Sequence, residues 1–405
     1  MPVFIEGYIS FVMVKKKQHY VPKFYLRYFA NSENKFYAYD FERNGLLSNC
    51  VYYESQCQKK FFYGEDGVLE DQLSQKEGAW AAICRKAIAG NALNEAEIFL
   101  LKEFVLYQKQ RTSDNHNRLR KEREAILIEC ARLLYSHRGW QFNEAAEQYC
   151  ERRATEEITP AENVLIATEL LDYIKDLGVL IVHYSTGNIL LTSDSPVVTL
   201  NPFMKFQGFG YDNVGVAFLM PLSPRDLLVI YDDCLYKKNK GRIYIESGNE
   251  EEVKCINRYE IIHSERMVFS ADAANFDLVT EEILDIRQGE KKRRETQFLG
   301  PEGSQRLIIS QAEGSEFYYE LPYLILPREY RRIPYNCREA IPRHFEKGWE
   351  EKLAMKYQVL CMAKKLPLNQ ETDNLLPSKT DLKIGCRRME NLARIYWKEK
   401  GYNIQ

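Results

Sequence analysis

Six residues of unlike polar type interrupt otherwise apolar stretches of the chain: His19, Arg27, Glu70, Glu77, Arg111 and Asp194. Together they carry the acid, base and phosphate-binding groups of hydrolytic chemistry. In "VLEDQLSQKEGAW", Glu70 and Glu77 stand seven residues apart, about 20° from each other on a helical wheel. Glu77 falls beside the stripe of Leu69, Leu73 and Trp80. A carboxylate there needs a cation, a metal or a hydrogen-bond donor, because an unpaired buried charge is costly. In "EIFLLKEFVLYQKQRTSD", Leu100, Phe104, Gln108 and Arg111 share a helical face, so two polar groups continue an apolar stripe. Arg111 is placed either to pair with Glu77 or Glu70 or to hold an anionic ligand with both prongs of its guanidinium. In "LLTSDSPVVTLNP", Asp194 lies between two apolar strand halves, with Pro196 limiting strand pairing. An Asp at such a strand end serves either chemistry or an Asx-turn that caps its own backbone.

His19 stands just ahead of Pro22, in extended or loop backbone, and its ordinary pKa near neutrality suits a general acid or base. Two or three carboxylates with a histidine would hold Mg²⁺ or Mn²⁺, with Glu77 and Asp194 as the expected metal ligands. Arginines would clamp a phosphate and stabilise developing charge. His19, Glu70, Glu77 and Asp194 are thus the candidate catalytic residues, with Arg27, Gln108 and Arg111 as ligand contacts. Basic stretches at Arg118–Arg123, Lys291–Arg294 and Arg328–Arg332 would position a nucleic-acid backbone. Arg111 and His116 form an Arg-x4-His spacing that resembles the catalytic motif of HEPN-type ribonucleases, although Thr112 departs from it. His183 alternates with apolar strand residues and reads as packing. No Walker A loop, G-x-G-x-x-G, G-x-S-x-G or H-E-x-x-H occurs.

The elements that must position these residues follow from period and punctuation. Pro22–Ala30 reads as a short helix with Pro22 in its first turn, Arg27 facing inward with His19. "KFYAYDFERNGLLSNCVYY" reads as two strands about an Asn44-Gly45 turn, and "FFYGEDG" as a loop. Helical period runs from Val68 to near Gly90, then from Asn94 to His137 with a break near "RTSDNHN". Further helices are expected over Asn143–Arg153 and Pro160–Leu177. Strands follow in "VLIVHY", "NILLTS", "PVVTLN", "VGVAFLMPL", "DLLVIYD" and "RIYIES". Glu250–Phe269 reads as a helix, "RLIIS" and "YLILP" as strands, and Trp349–Lys364 and Arg387–Lys400 as helical. The order gives an α+β fold: N-terminal helix and hairpin, helical block, mostly antiparallel sheet, then a C-terminal α+β extension.

At 405 residues the chain exceeds the roughly 250–300 at which single cores stop growing. Two units are expected, a core over residues 13–285 and an extension over 286–405. A net charge of -2, from 56 basic and 58 acidic residues, excludes general wrapping in nucleic acid and leaves room for local basic patches. Ten scattered cysteines without C-x-x-C spacing fit reduced thiols in a cytoplasmic protein. "MPVFIEGYISFVMV" lacks the leading positive charge of a signal peptide, and Met13 is the expected natural start. No segment approaches the ~18 apolar residues of a membrane span.

"QHYVPKFYLRYFA", "FFYGEDGVLEDQLSQKE", Gln108–Arg111, "TSDSPV", "PLSP" and Asn257 occur in one order. That pattern resembles the bacterial proteins grouped as domain of unknown function 4238, over roughly Lys16 to Ser270. Its "HYVP" start is the most specific feature. The resemblance implies no activity. It does imply that Tyr63, Ser193 and Asn257 match the family pattern, which adds them to the candidate ligand contacts. Ser113 stands where family members often carry proline. Taken together, the residues favour a metal-dependent phosphodiesterase or nuclease-like enzyme acting on nucleic acid or nucleotides. The alternatives are a non-enzymatic interaction or scaffold protein in which the same residues form a structural network, and a sensor of an anionic ligand held by Arg27 and Arg111.

Overall fold

The computed structural model describes residues 16–205, 208–236, 239, 241–299, 307–309, 314–331 and 343. The described residues begin with β1 (Lys17–His19) and α1 (Lys23–Leu26), which tightens into a 3-10 turn over Arg27–Phe29. Pro22 holds φ at -62°, so the ring prepares the helix start where its missing N–H is not needed. Tyr25, Leu26 and Phe29 are buried. Arg27 is exposed, contrary to the inward orientation expected of it, because the turn that buries its neighbours points it outward.

β2 (Lys35–Asp40), β3 (Gly45–Leu46), β4 (Val51–Tyr52) and β5 (Gln58–Lys60) follow. Asn44 takes the left-handed φ of 48° that the hairpin turn needs. The returning strand is split: β3 pairs with one end of β2 and β4 with the other. β5 turns back to pair with β1.

The helical block comprises α2 (Val68–Ile88), α3 (Glu95–Gln110), α4 (Ser113–His137), α5 (Glu144–Glu157) and α6 (Pro160–Leu170). Capping boxes at Asn94/Glu97 and Thr159/Glu162 start α3 and α6. The expected break falls at Arg111–Thr112. Thr112 has extended backbone and its side chain accepts from the Asn115 N–H at 3.3 Å, ending one helix and capping the next.

The sheet region contains β6 (Gly178–Tyr184), β7 (Thr192–Ser193), β8 (Val198–Leu200), β9 (Ala217–Pro221), β10 (Asp226–Tyr231), β11 (Tyr244–Ser247), α7 (Glu250–His263) and β12 (Met267–Ser270). Then come α8 (Glu281–Arg293), β13 (Gln297–Leu299), β14 (Leu307–Ile309) and α9 (Arg328–Arg331). One sheet has the order β11-β6-β10-β9-β8 and is antiparallel except for β11 against β6. A second, β3-β2-β12-β7, joins the N-terminal hairpin to the far end of the family-like segment. The fold is α+β.

Several boundaries differ from expectation. The helix expected to Phe269 stops at His263, where Ser264 turns extended, and "MVFS" becomes β12 between β2 and β7. "NILLTS" contributes only the two residues of β7. "YLILP" forms no strand. Leu321, Tyr323, Leu324 and Leu326 instead bury against the β6–β10 side of the sheet in turn conformation. His183 is exposed and bonds Asp226 at 2.8 Å rather than packing. Trp349–Lys364 and Arg387–Lys400 lie outside the described residues.

The boundary expected at 285/286 falls inside α8. Just past it, buried Arg287 donates to the carbonyls of Ile261 at 2.7 Å, Ser264 at 2.6 Å and Glu265 at 2.7 Å. Those carbonyls lie at the end of α7 and just beyond it, where the helix ladder leaves acceptors open. Its guanidinium also lies 3.9 Å from the centre of the Phe41 ring. Burial lowers the Arg287 pKa to about 10, which leaves it charged at neutral pH. Arg287→Leu is therefore expected to destabilise the protein by about 3 kcal/mol, since several buried carbonyls lose a charged donor. Urea unfolding should show this as a lower midpoint, and Arg287→Lys should recover only part of the loss.

Candidate functional site

Two polar nodes hold the residues singled out in the sequence. The first centres on Arg111, which the end of α3 carries into the core at 1 % exposure. Its Nη1 donates to Glu77 Oε1 at 2.8 Å, its Nε to Tyr63 Oη at 3.1 Å and its Nη2 to the His19 carbonyl at 2.6 Å. Gln108, one turn earlier, donates to the Tyr20 carbonyl at 3.1 Å. Gln18 closes the node by donating to the Gly64 carbonyl at 2.9 Å and accepting from the Tyr63 N–H at 2.6 Å. The end of α3 thus grips the start of the chain and the loop before α2.

Charge within this node is settled by burial and neighbours. Burial works against the Arg111 cation, but Tyr63 and Glu77 outweigh it and hold the guanidinium charged. Burial pushes the Tyr63 phenol up to about 12, and Glu70, half-buried on α2, acts on it through charge. His19 is lowered, chiefly by burial, and so is neutral. Its Nε2 lies 3.0 Å from the Glu54 carbonyl, which can only accept. The proton therefore sits on Nε2, and Nδ1 keeps its lone pair. The histidine's partner is a backbone carbonyl, with Glu77 felt through charge alone.

The second node centres on Asp194, which is 3 % exposed. Its Oδ1 accepts from the Glu265 N–H at 2.9 Å, and its Oδ2 from the N–H groups of Arg266 at 2.8 Å and Met267 at 2.9 Å. Ser193 donates to Glu260 Oε2 at 2.7 Å. Asn257 on α7 bonds both the Leu191 N–H at 3.0 Å and the Ile189 carbonyl at 2.9 Å. The Asp caps a distant turn rather than its own. Burial, then the Glu265 carboxylate, pushes Asp194 up to about 7 against the pull of those three N–H groups. Burial likewise lifts Glu260 to about 8. Burial and the Arg294 charge hold His263 well below its ordinary value.

Sequence reasoning missed Glu260, His263 and Glu265. The signal was present, since Glu260 and His263 flank Ile261-Ile262 on α7 and interrupt its apolar face. Drawing the helix through to Phe269 hid the turn that gives them their setting.

His19, Tyr63, Glu77, Gln108 and Arg111 come together at one node, and Ser193, Asp194 and Asn257 at the other. Arg27 joins neither. Glu77 and Asp194 do not form the expected metal pair, because Arg111 binds one and three backbone N–H groups hold the other. Among the described residues no group of three or more His, Cys, Asp or Glu is arranged to hold a metal ion. The Arg-x4-His pair is also separated in role. His116 Nδ1 faces the Asn163 amide at 3.4 Å, and burial lowers its pKa to about 4.

The family model described as protein of unknown function, DUF4238, matches residues 17–274, well over half of the chain. The chain belongs to this family. Both nodes lie within the DUF4238 segment, from Gln18 to Met267, whereas Arg287 lies beyond it. No curated protein and no solved structure matches the chain. Among the described residues no helix is long and apolar enough to cross a membrane.

The raised carboxylates fix a pH response. The fold holds their protons more tightly than the unfolded chain, whose values lie near about 4. The resulting stabilisation is complete at low pH and is lost as pH rises through about 7 for Asp194 and about 8 for Glu260. His263 has the opposite sign and costs stability only as pH falls below about 6.5. Between about pH 6.5 and 8.5 the unfolding midpoint should therefore fall as pH rises, and Glu260→Gln should flatten that slope. In the first node, Arg111→Ala is expected to cost about 3 kcal/mol and Glu77→Gln about 1, because Glu77 is 25 % exposed and water can replace its bond. Chemical denaturation at fixed pH measures both.

Proposed function

We propose that the chain acts by binding rather than by turnover, as a non-enzymatic interaction or scaffold protein of the cytoplasm. Its buried polar residues are the ties that make one body of the N-terminal segment, the helices and the sheets. One observation carries this reading. Arg111, the group best suited to clamp a phosphate, is 1 % exposed and has all three of its nitrogens bonded within the fold. Gln108, Ser193 and Asn257 are equally enclosed, each at 0 % exposure. A catalytic acid or clamp must reach its substrate, and an anionic-ligand sensor built on Arg27 and Arg111 would need both at one surface.

The phosphodiesterase reading, with nucleic acid or nucleotide as substrate and Mg²⁺ or Mn²⁺ as cofactor, retains one specific support. The neutral His19 keeps a lone pair on Nδ1 and feels the charges of Glu77 and Arg111, and carboxylates shifted toward neutrality recur at acid–base sites. Incubating the protein with labelled RNA and DNA in Mg²⁺ or Mn²⁺ separates the two. The binding reading expects no cleavage above a protein-free control. Cleavage by the parent that Glu77→Gln and Asp194→Asn both abolish, while each variant is still folded at the assay temperature by circular dichroism, would replace it with the hydrolase reading.

A further inference from the structure

We infer that the α4–α5 hairpin is the surface through which two copies of this chain associate. The inference is independent of whether the nodes bind or catalyse. α4 packs chiefly against α5, with minor contacts to α3 and α6. Ion pairs of Arg123 with Glu157 at 2.5 Å and Arg132 with Glu147 at 3.9 Å set the antiparallel register of the two helices.

One face of this hairpin is divided. Arg120, Glu124, Leu127, Ala131 and Leu134 recur on α4 at the three- and four-residue spacing of a single stripe. Tyr149, Arg152 and Glu156 do the same on α5. The half nearer the body is charged, and the half nearer the tip is apolar. At the tip Leu134 is 47 %, Trp140 54 % and Tyr149 57 % exposed. Such a run of large apolar side chains marks an interaction surface.

Charge selects the occupant. The open groove between the helices is lined by Arg120, Lys121 and Arg152 against Glu124, Glu151 and Glu156. Three cations against three carboxylates cannot recruit a polyanion, which needs net positive charge. A surface of balanced, alternating sign is complementary to itself. Lys121, Glu151 and Arg152 make no ion pair among the described residues and so have charge to offer. A two-fold axis parallel to the hairpin sets tip on tip and groove on groove, an isologous contact that completes a four-helix bundle.

Sedimentation equilibrium of the full chain tests this. The expected mass is twice that of the 47.6 kDa chain. Leu134→Glu with Tyr149→Glu should halve it at unchanged melting temperature. Lys121→Glu with Arg152→Glu should be monomeric alone, as should Glu151→Lys with Glu156→Lys, and mixing the two should restore the doubled mass. Should the apolar variant misfold, the charge-swap pair decides. A parent that sediments as one chain, or a dimer that persists in the folded tip variant or in both charge variants, would overturn the inference.

Discussion

The carboxylate of Asp194 holds the turn in which α7 becomes β12, and the separate parts of the molecule meet at that turn. Three successive N–H groups point at one side chain, so the turn cannot relax without leaving buried polar groups unpaired. From the same turn Arg266 reaches Asp40 on β2 with two bonds, at 3.0 and 2.7 Å. Glu265 reaches α4 through Asn117 at 2.6 Å. Arg287 and Lys291 of α8 donate to the Glu265 carbonyl. The sheet, the helical block and the segment after residue 280 thus share one short piece of backbone. Arg111 plays a parallel part for the N-terminus. Its pair with half-buried Glu77 contributes little net energy after desolvation, but removing Arg111 strands the Tyr63 hydroxyl and the His19 carbonyl as well as Glu77, so the arginine fixes the arrangement more than it strengthens it.

How much of this was legible depended on whether the signal was local. The α2 stripe, the caps at Asn94 and Thr159 and the break at Thr112 are written in neighbouring residues, and the helices follow them. β12 was hidden because its four residues continue an apolar period begun in α7, and only distant partners make them a strand. "YLILP" misled for the converse reason: its apolar residues bury without pairing. Arg27 went astray because two short turns, not a full helix, decide which way it points.

The nodes were legible as polar interruptions of apolar faces, and the pairing of Arg111 with Glu77 was among the alternatives the spacing allowed. Their purpose was not legible. The partners of His19, Gln108 and Asp194 are backbone carbonyls and N–H groups, which every residue carries and no side-chain pattern reveals. A carboxylate that grips a backbone turn and one that grips a metal look alike in sequence. The DUF4238 match ends at residue 274, before the arginine that braces α7, so the segment bounded by the family is not the segment bounded by the packing.

The pairing of β2 with β12 also governs how the chain is born. Asp40 and Arg266 are 226 residues apart. At about 5–20 residues per second on a ribosome, β2 emerges roughly 10–45 s before the strand that completes it. β3 and β4 can cover one of its edges at once, since both are close in sequence. The other edge, with Phe36 and Ala38 beside it, stays open for that whole interval, and an open edge is what stray strands add to. The contact that joins the N-terminal hairpin to the sheet region thus waits until Arg266 has been made, and the nascent chain passes through a long stage with that edge of β2 exposed.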